Sequence, residues 1–237
     1  MKVNQASCTP TAPCPRLRVV AVVLAAGMAS RMGGRPKSLL QRDGQTLLAR
    51  LLSKLAEAGI DETVLVLGHH AKVIQEALQH KAPDLSRPKG DSLMPLHTVI
   101  NPTPEAGQNS SLHLGLVAAQ GLSPEWLMVA LADQALIESS DLKDLITAVK
   151  KAPPSTQMLQ PSVNGQPGNP VMFSGRVMQA ILQTPHLGGK AWRQQNPAQV
   201  LSWSSTNLHY AVDMDTPEDI AKLAQDHGIQ LTWEQTS

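Results

Sequence analysis

The chain has 237 residues, of which 42% are hydrophobic and 3% aromatic, with a formal net charge of +1 at pH 7. That length suits one α/β domain with a full, mainly aliphatic core. The near-neutral charge and scarcity of rings argue against nucleic acid, duplex or single-stranded, and against an anionic membrane as partners. No segment reaches the ~18 apolar residues of a membrane-spanning helix, so a cytoplasmic protein is expected.

Residues 1–16 hold prolines and small polar residues with no apolar run, and read as a disordered N-terminal extension to a single domain over 17–237. Cys8 and Cys14 both fall there and are too few for a metal site. Leu17 to Ala25 reads as a buried parallel strand, because Val-Val-Ala-Val-Val-Leu runs without polar interruption. Thr46 to Ala58 has helical apolar spacing and stops at Gly59. Thr63 to Leu67 predicts a second strand, Ala71 to Gln79 a helix, and Pro83 to Pro95 a surface loop. His97 to Asn101 predicts a third strand, Ser111 to Gln120 a helix, Trp126 to Ala132 a fourth strand and Ser139 to Lys150 a helix. Met158 to Val163 and Asn169 to Phe173 are further strands, with helices over Gly175 to Leu182 and Gly189 to Gln195. A short strand over Leu208 to Val212 and a helix from Thr216 complete the pattern. Such alternation predicts a doubly wound, mainly parallel α/β sheet.

The first strand runs into Ala26-Gly27-Met28-Ala29-Ser30-Arg31-Met32-Gly33-Gly34-Arg35-Pro36-Lys37. A strand ending in a small-residue loop brings backbone N–H groups close to an anion, and the cationic side chains point to a polyphosphate. Neither common phosphate motif fits. No Gly-Lys-Ser/Thr follows Gly27, and Ala29 stands where the dinucleotide fingerprint needs its second glycine. Leu-Ala-Ala-Gly, Arg31, Met-Gly-Gly and then Lys37 instead resemble the signature of nucleotidyltransferases with a glycosyltransferase-A-like fold. The segment looks most like their molybdenum-cofactor branch, the molybdopterin cytidylyl- and guanylyltransferases.

This resemblance implies a Rossmann-like sheet of the nucleotide-diphospho-sugar transferase type. It implies that Leu24, Ala25, Ala26 and Gly27 wrap a nucleoside triphosphate while Arg31 and Lys37 contact its phosphates. Asp133, after the apolar run Val129-Ala130-Leu131-Ala132, matches the aspartate that holds Mg²⁺ in the family. Ala135 stands where a proline usually follows that motif. The second acidic element, Asp213-Met214-Asp215-Thr216-Pro217-Glu218, also reads as a helix start. If a strand precedes it, Asp213 and Asp215 share a face, one completing the metal site and the other capping the helix, with Asp213 the preferred ligand.

Gly107 and Ser111 are placed by the same resemblance at the nucleotide base, the alternative being N-capping by Ser110 or Ser111, with Asn101 a lesser base contact. Asn169 replaces a frequent histidine in the acceptor loop, and Lys190 follows Gly188-Gly189 where an acceptor phosphate could be met, or is simply a surface lysine. His69-His70 lacks a third ligand and is set aside as a metal pair. The implied activity is Mg²⁺-dependent transfer of CMP from CTP to molybdopterin or its molybdenum form, with a molybdoenzyme or its chaperone as client. Alternatives are a guanylyltransferase, a sugar-phosphate nucleotidyltransferase, or a non-catalytic carrier of cofactor or nucleotide.

Overall fold

The computed structural model describes residues 16–81, 94–184, 186–212 and 214–233. Residues 1–15 of the expected N-terminal extension, with both cysteines, and the loop between Pro83 and Pro95 up to residue 93 lie outside those residues. The elements in order are β1 (Val19–Ala25), β2 (Gln41–Arg42), β3 (Gln45–Thr46), α1 (Leu47–Ala58), β4 (Glu62–Leu67), α2 (Ala71–Lys81) and β5 (Leu96–Ile100). They continue with α3 (Gln108–Gln120), β6 (Trp126–Leu131), α4 (Ser139–Lys151), β7 (Met158–Val163), β8 (Gln166–Pro167), β9 (Val171–Ser174) and α5 (Gly175–Gln183). The last are α6 (Gly189–Gln195), β10 (Val200–Ser205) and α7 (Pro217–His227).

The main sheet has the order β10-β7-β9-β6-β1-β4-β5, with β8 on β7. β1 pairs in parallel with both β4 and β6, and β9 is the antiparallel strand between β6 and β7. The expected mainly parallel, doubly wound sheet is therefore present. Alternation along β1 sends Val19, Ala21 and Val23 to one face, against Leu48, Leu51 and Leu55 of α1 and Leu142 and Leu145 of α4. Val20, Val22 and Leu24 face the other way, onto Leu112 and Leu116 of α3 and Val177 and Ile181 of α5. A strand covered on both faces reads as an unbroken apolar run.

Chain order places β4 and β5 on one side of β1 and β6 on the other. Strand order thus reverses beside β1, and the crevice beyond the strand ends at such a point is where ligands bind in open α/β sheets. The Ala132 N–H donates to the Leu24 carbonyl at 3.0 Å, carrying the β1–β6 pairing past the strand ends. The two loops that follow therefore start side by side.

Two sequence expectations fail, one of them near the C-terminal end. Leu208–Tyr210 is a 3₁₀ turn rather than a strand, with Tyr210 buried beneath the sheet edge. The strand on that edge is β10, paired in parallel with β7 alone. α3 also starts earlier than expected, at Gln108 with Gly107 as N-cap, so neither Ser110 nor Ser111 caps it.

A third apolar cluster sits under the crevice. Met32 and Leu40 from the first loop, Ala135 and Leu136 from the loop after β6, and Met214, Leu223 and Leu231 from the C-terminal part pack together. It joins three segments that are far apart in sequence. Among the described residues no helix is long and apolar enough to cross a membrane.

Candidate active site

The loop after β1 turns through left-handed backbone at Ala29 (φ 55°), Gly33 (φ 62°) and Gly34 (φ 76°). The paired glycines occupy these conformations at little steric cost. The Met32 and Gly34 N–H groups both donate to the Ala29 carbonyl, closing a 3₁₀ turn over Ser30–Met32. Met32 is buried and anchors the turn, while His70 donates from Nε2 to the Met28 carbonyl at 3.2 Å. Lys37 opens a second 3₁₀ turn that ends on buried Leu40.

Four charged residues from three remote segments meet there. Lys37 Nζ lies 2.6 Å from Asp133 Oδ2 and 2.9 Å from Asp215 Oδ1. Arg31 Nη1 is 3.5 Å from Asp215 Oδ2, a longer contact between two exposed groups. Burial alone would lower the Lys37 pKa. The charge of Asp133 and its hydrogen bond, with those of Asp215, outweigh burial and hold the ammonium above its ordinary value.

Asp215 is free for this role because its neighbours start α7. Thr216 Oγ1 accepts from the Asp219 N–H, and Asp219 Oδ2 accepts from the Thr216 and Asp215 N–H groups, a capping box with Pro217 in the first turn. The expectation that one aspartate would cap the helix is thus corrected: Thr216 and Asp219 do so. Asp213, the preferred ligand, lies outside the described residues, and a 3₁₀ turn replaces the strand expected before it.

A cavity of about 590 Å³ opens over this cluster. Its wall includes Leu24, Ala25, Ala26 and Gly27, then Pro36, Lys37 and Ser38, together with Asp133 and Asp215. Pro104, Glu105, Gly107, Gln108, Ser111 and Asn169 also line it. Arg31 stands outside the wall and reaches the cluster through Asp215. Asn101 is also off the wall: its buried amide donates to Ser110 Oγ and Ser111 Oγ and so braces the first turn of α3.

Asn169 is held from two sides. Its N–H donates to the Tyr210 carbonyl at 2.8 Å, and its own carbonyl accepts from Gln134 Nε2 at 2.9 Å. Gln134, beside Asp133, thereby ties the acidic loop to the Asn169 loop. Lys190 does not reach the cavity wall and is exposed in the first turn of α6. Its preceding glycines have a packing reason, since a Cβ on Gly188 would lie 2.2 Å from Asn109 Oδ1 and one on Gly189 2.7 Å from Phe173 Cζ. The bracing by Gln134 and His70 has no sequence signature, because each acts through a backbone carbonyl of a distant loop.

Comparison with known proteins places this geometry. The profile of the MobA-like NTP transferase domain matches residues 21–200, well over half of the chain. The chain belongs to this family. Several relatives of the transferase are longer proteins matched over a part. One is the CMP-5'-(3-aminopropyl)phosphonate synthase of Streptomyces rubellomurinus, 36% identical over 46% of this chain and 16% of its own length. Another is the 2-C-methyl-D-erythritol 4-phosphate cytidylyltransferase of Shewanella oneidensis, 32% identical over 60% of this chain and 52% of that protein. The nicotine blue oxidoreductase of Paenarthrobacter nicotinovorans is 26% identical over 89% of this chain and 97% of its own length. In fold, the transferase is similar to Rv0371c from Mycobacterium tuberculosis, with TM-score 0.67, 23% identity, and 90% and 100% of the two chains covered. A second structure of Rv0371c is a manganese complex.

The carboxylates of the transferase suit a hard divalent cation. Asp133 Oδ2 and Asp215 Oδ1 both reach one ammonium nitrogen, so they lie no farther apart than the sum of the two contacts. An ion that takes one or two carboxylates plus substrate phosphates matches that donor set. Among the described residues no group of three or more His, Cys, Asp or Glu could hold a metal without a substrate. Oxygen donors of this kind favour Mg²⁺ or Mn²⁺ over thiophilic metals.

Proposed function

We propose that this NTP transferase is a Mg²⁺-dependent cytidylyltransferase that moves CMP from CTP to a phosphate monoester, with molybdopterin or its molybdenum form as the acceptor. One observation carries the reading: Lys37, from the phosphate-type loop, meets Asp133 and Asp215 in the wall of a cavity lined by that same loop. A cationic loop and an acidic pair facing each other suit a metal-bound triphosphate. The choice of CTP is supported by the names of the partly matched relatives, one a cytidylyltransferase and one a CMP-phosphonate synthase.

In this reading the β1 loop, from Leu24 to Gly27, wraps the triphosphate and Gly107 and Ser111 border the base. Asn169 faces the acceptor. The acceptor oxygen attacks the α-phosphorus in line, a new P–O bond forms, and the bond to the β-phosphate oxygen breaks to release pyrophosphate. A phosphate dianion is already a nucleophile, so no general base is needed. Lys37 and Arg31 stabilise charge growing on the departing pyrophosphate, and positioning supplies much of the remainder. The metal held by Asp133 and Asp215 would neutralise phosphate charge and orient the triphosphate.

The test is pyrophosphate release from purified protein with Mg²⁺ and molybdopterin, with CTP, GTP, ATP and UTP side by side. Release with CTP that disappears in Asp133→Ala supports the proposal. Release with GTP alone moves it to a guanylyltransferase, and release only with sugar phosphates changes the acceptor. A second reading takes its support from the nearly full-length match to an oxidoreductase. Redox turnover without pyrophosphate release would favour it.

A further inference from the structure

The profile match ends at residue 200, yet the chain beyond it returns to the loop that carries Lys37. After α7, Thr232 forms a two-bond bridge with Gln41: the Gln41 N–H donates to the Thr232 carbonyl at 2.8 Å, and the Thr232 N–H donates to the Gln41 carbonyl at 3.0 Å. One residue further, the ring of Trp233 lies under the Arg35 guanidinium, 4.2 Å from ring centroid to Cζ. Leu231 is buried in the cluster that also holds Met32 and Leu40. The segment therefore grips the loop on both sides of Lys37.

The two neighbouring cations of this loop also point differently. Lys37 lines the cavity, whereas Arg35 does not. Gly33 and Gly34 leave the chain before Arg35 with backbone freedom that no side chain of theirs restricts. An Arg35 held on an aromatic face supplies the restraint that those glycines lack.

We infer that Trp233 is a positioning residue for nucleotide binding: it fixes Arg35, and Arg35 sets the backbone from which Lys37 reaches into the cavity. The inference rests on the reading of this loop as the triphosphate cradle. Trp233 itself touches no substrate. With Trp233 in place, the loop is shaped before nucleotide arrives, so less ordering has to accompany binding. Without it, the loop samples more conformations and the same contacts hold nucleotide less tightly.

The experiment uses the full chain with Trp233→Ala, Trp233→Phe, Arg35→Ala and the Trp233→Ala/Arg35→Ala double variant. CTP binding is measured by calorimetry with Mg²⁺, steady-state KM and kcat by pyrophosphate release, and loop order by hydrogen exchange of the Gly33–Leu40 amides. Trp233→Ala should weaken CTP binding and raise KM about two- to fivefold, as expected for loss of one exposed cation–π contact, with kcat little changed. Exchange in the loop should speed up. Trp233→Phe should restore most of the loss, and the double variant should be no worse than either single one. Unchanged loop exchange in Trp233→Ala would overturn the inference, whether or not the protein binds CTP. So would faster exchange with unchanged affinity in a protein that binds CTP, or additive losses in the double variant. Failure of the wild-type protein to bind any nucleotide refutes the cradle reading instead, and the exchange data still report on the Trp233 restraint.

Discussion

Replacing Lys37 by methionine should move two measurable affinities in opposite directions. Methionine keeps an unbranched stem and removes the ammonium between Asp133 and Asp215. The Asp133 contact is the stronger one, at 2.6 Å between side chains 19% and 25% exposed. Asp215 is 56% exposed, so solvent screens its contact and places it at the low end of exposed ion pairs. The two contacts together are worth about 1–2 kcal/mol. A divalent cation entering between the carboxylates has to displace the ammonium first. Its removal should therefore tighten Mn²⁺ binding, measured without nucleotide, by about 5- to 30-fold. Turnover should fall, by about 10²- to 10³-fold, because a cation aimed at the departing phosphate is gone. Mn²⁺ titration followed by electron paramagnetic resonance reads the first effect, and pyrophosphate release at saturating Mg²⁺ the second. A folded Lys37→Met protein with unchanged or weaker Mn²⁺ affinity would refute the idea that Asp133 and Asp215 share one cation position.

The remaining predictions concern the supports of the site. Lys37 has a raised pKa in the folded protein, so its stabilisation is fully present below its ordinary value of 10.5 and is lost as pH rises through the raised value. The Tm gap between wild type and Lys37→Met should thus be constant from pH 7 to 9 and close only in strong alkali; a gap that closes near neutrality would contradict this. Thr216→Ala removes the N-cap of α7 and should cost about 1 kcal/mol, or about 2–4 °C in Tm. It should also raise KM for nucleotide through Asp215, and an unchanged Tm would show that the cap is dispensable. Gln134→Ala cuts the tether to the Asn169 carbonyl. It should raise KM for the acceptor severalfold with KM for nucleotide unchanged, and the reverse pattern would remove Asn169 from the acceptor side.

Much of the frame was legible because its signals are local. β1, β4 and β6 are central and covered on both faces, so each is an apolar run ended by a small or polar residue. α1 carries its own stop and start, Thr46 accepting from the Ala49 N–H and Gly59 in left-handed backbone. β10 was not legible: it lies on the sheet edge, and Val-Leu-Ser-Trp-Ser-Ser is only partly covered on either face. Leu208–Tyr210 is a 3₁₀ turn where a strand was expected, and Tyr210 is buried there with its hydroxyl donating to the Asp141 carbonyl. Periodicity reports that a side chain is covered, not which backbone shape covers it.

For the candidate site, residue types along the chain were enough to mark the loop as cationic, its glycines as permissive and Asp133 as an acid at a strand end. Those are properties of neighbours in sequence, fixed by sterics and by where an apolar run stops. Which charges meet was decided only by the tertiary structure. Lys37 and Asp215 are 178 positions apart, and they pair because the cluster of Met32, Leu136 and Met214 draws three loops onto one patch of core. Arg35 and Lys37 carry the same charge on the same loop, yet one lies on Trp233 and the other enters the cavity. The direction of a long side chain depends on what packs beside it, and here that neighbour comes from the far end of the chain.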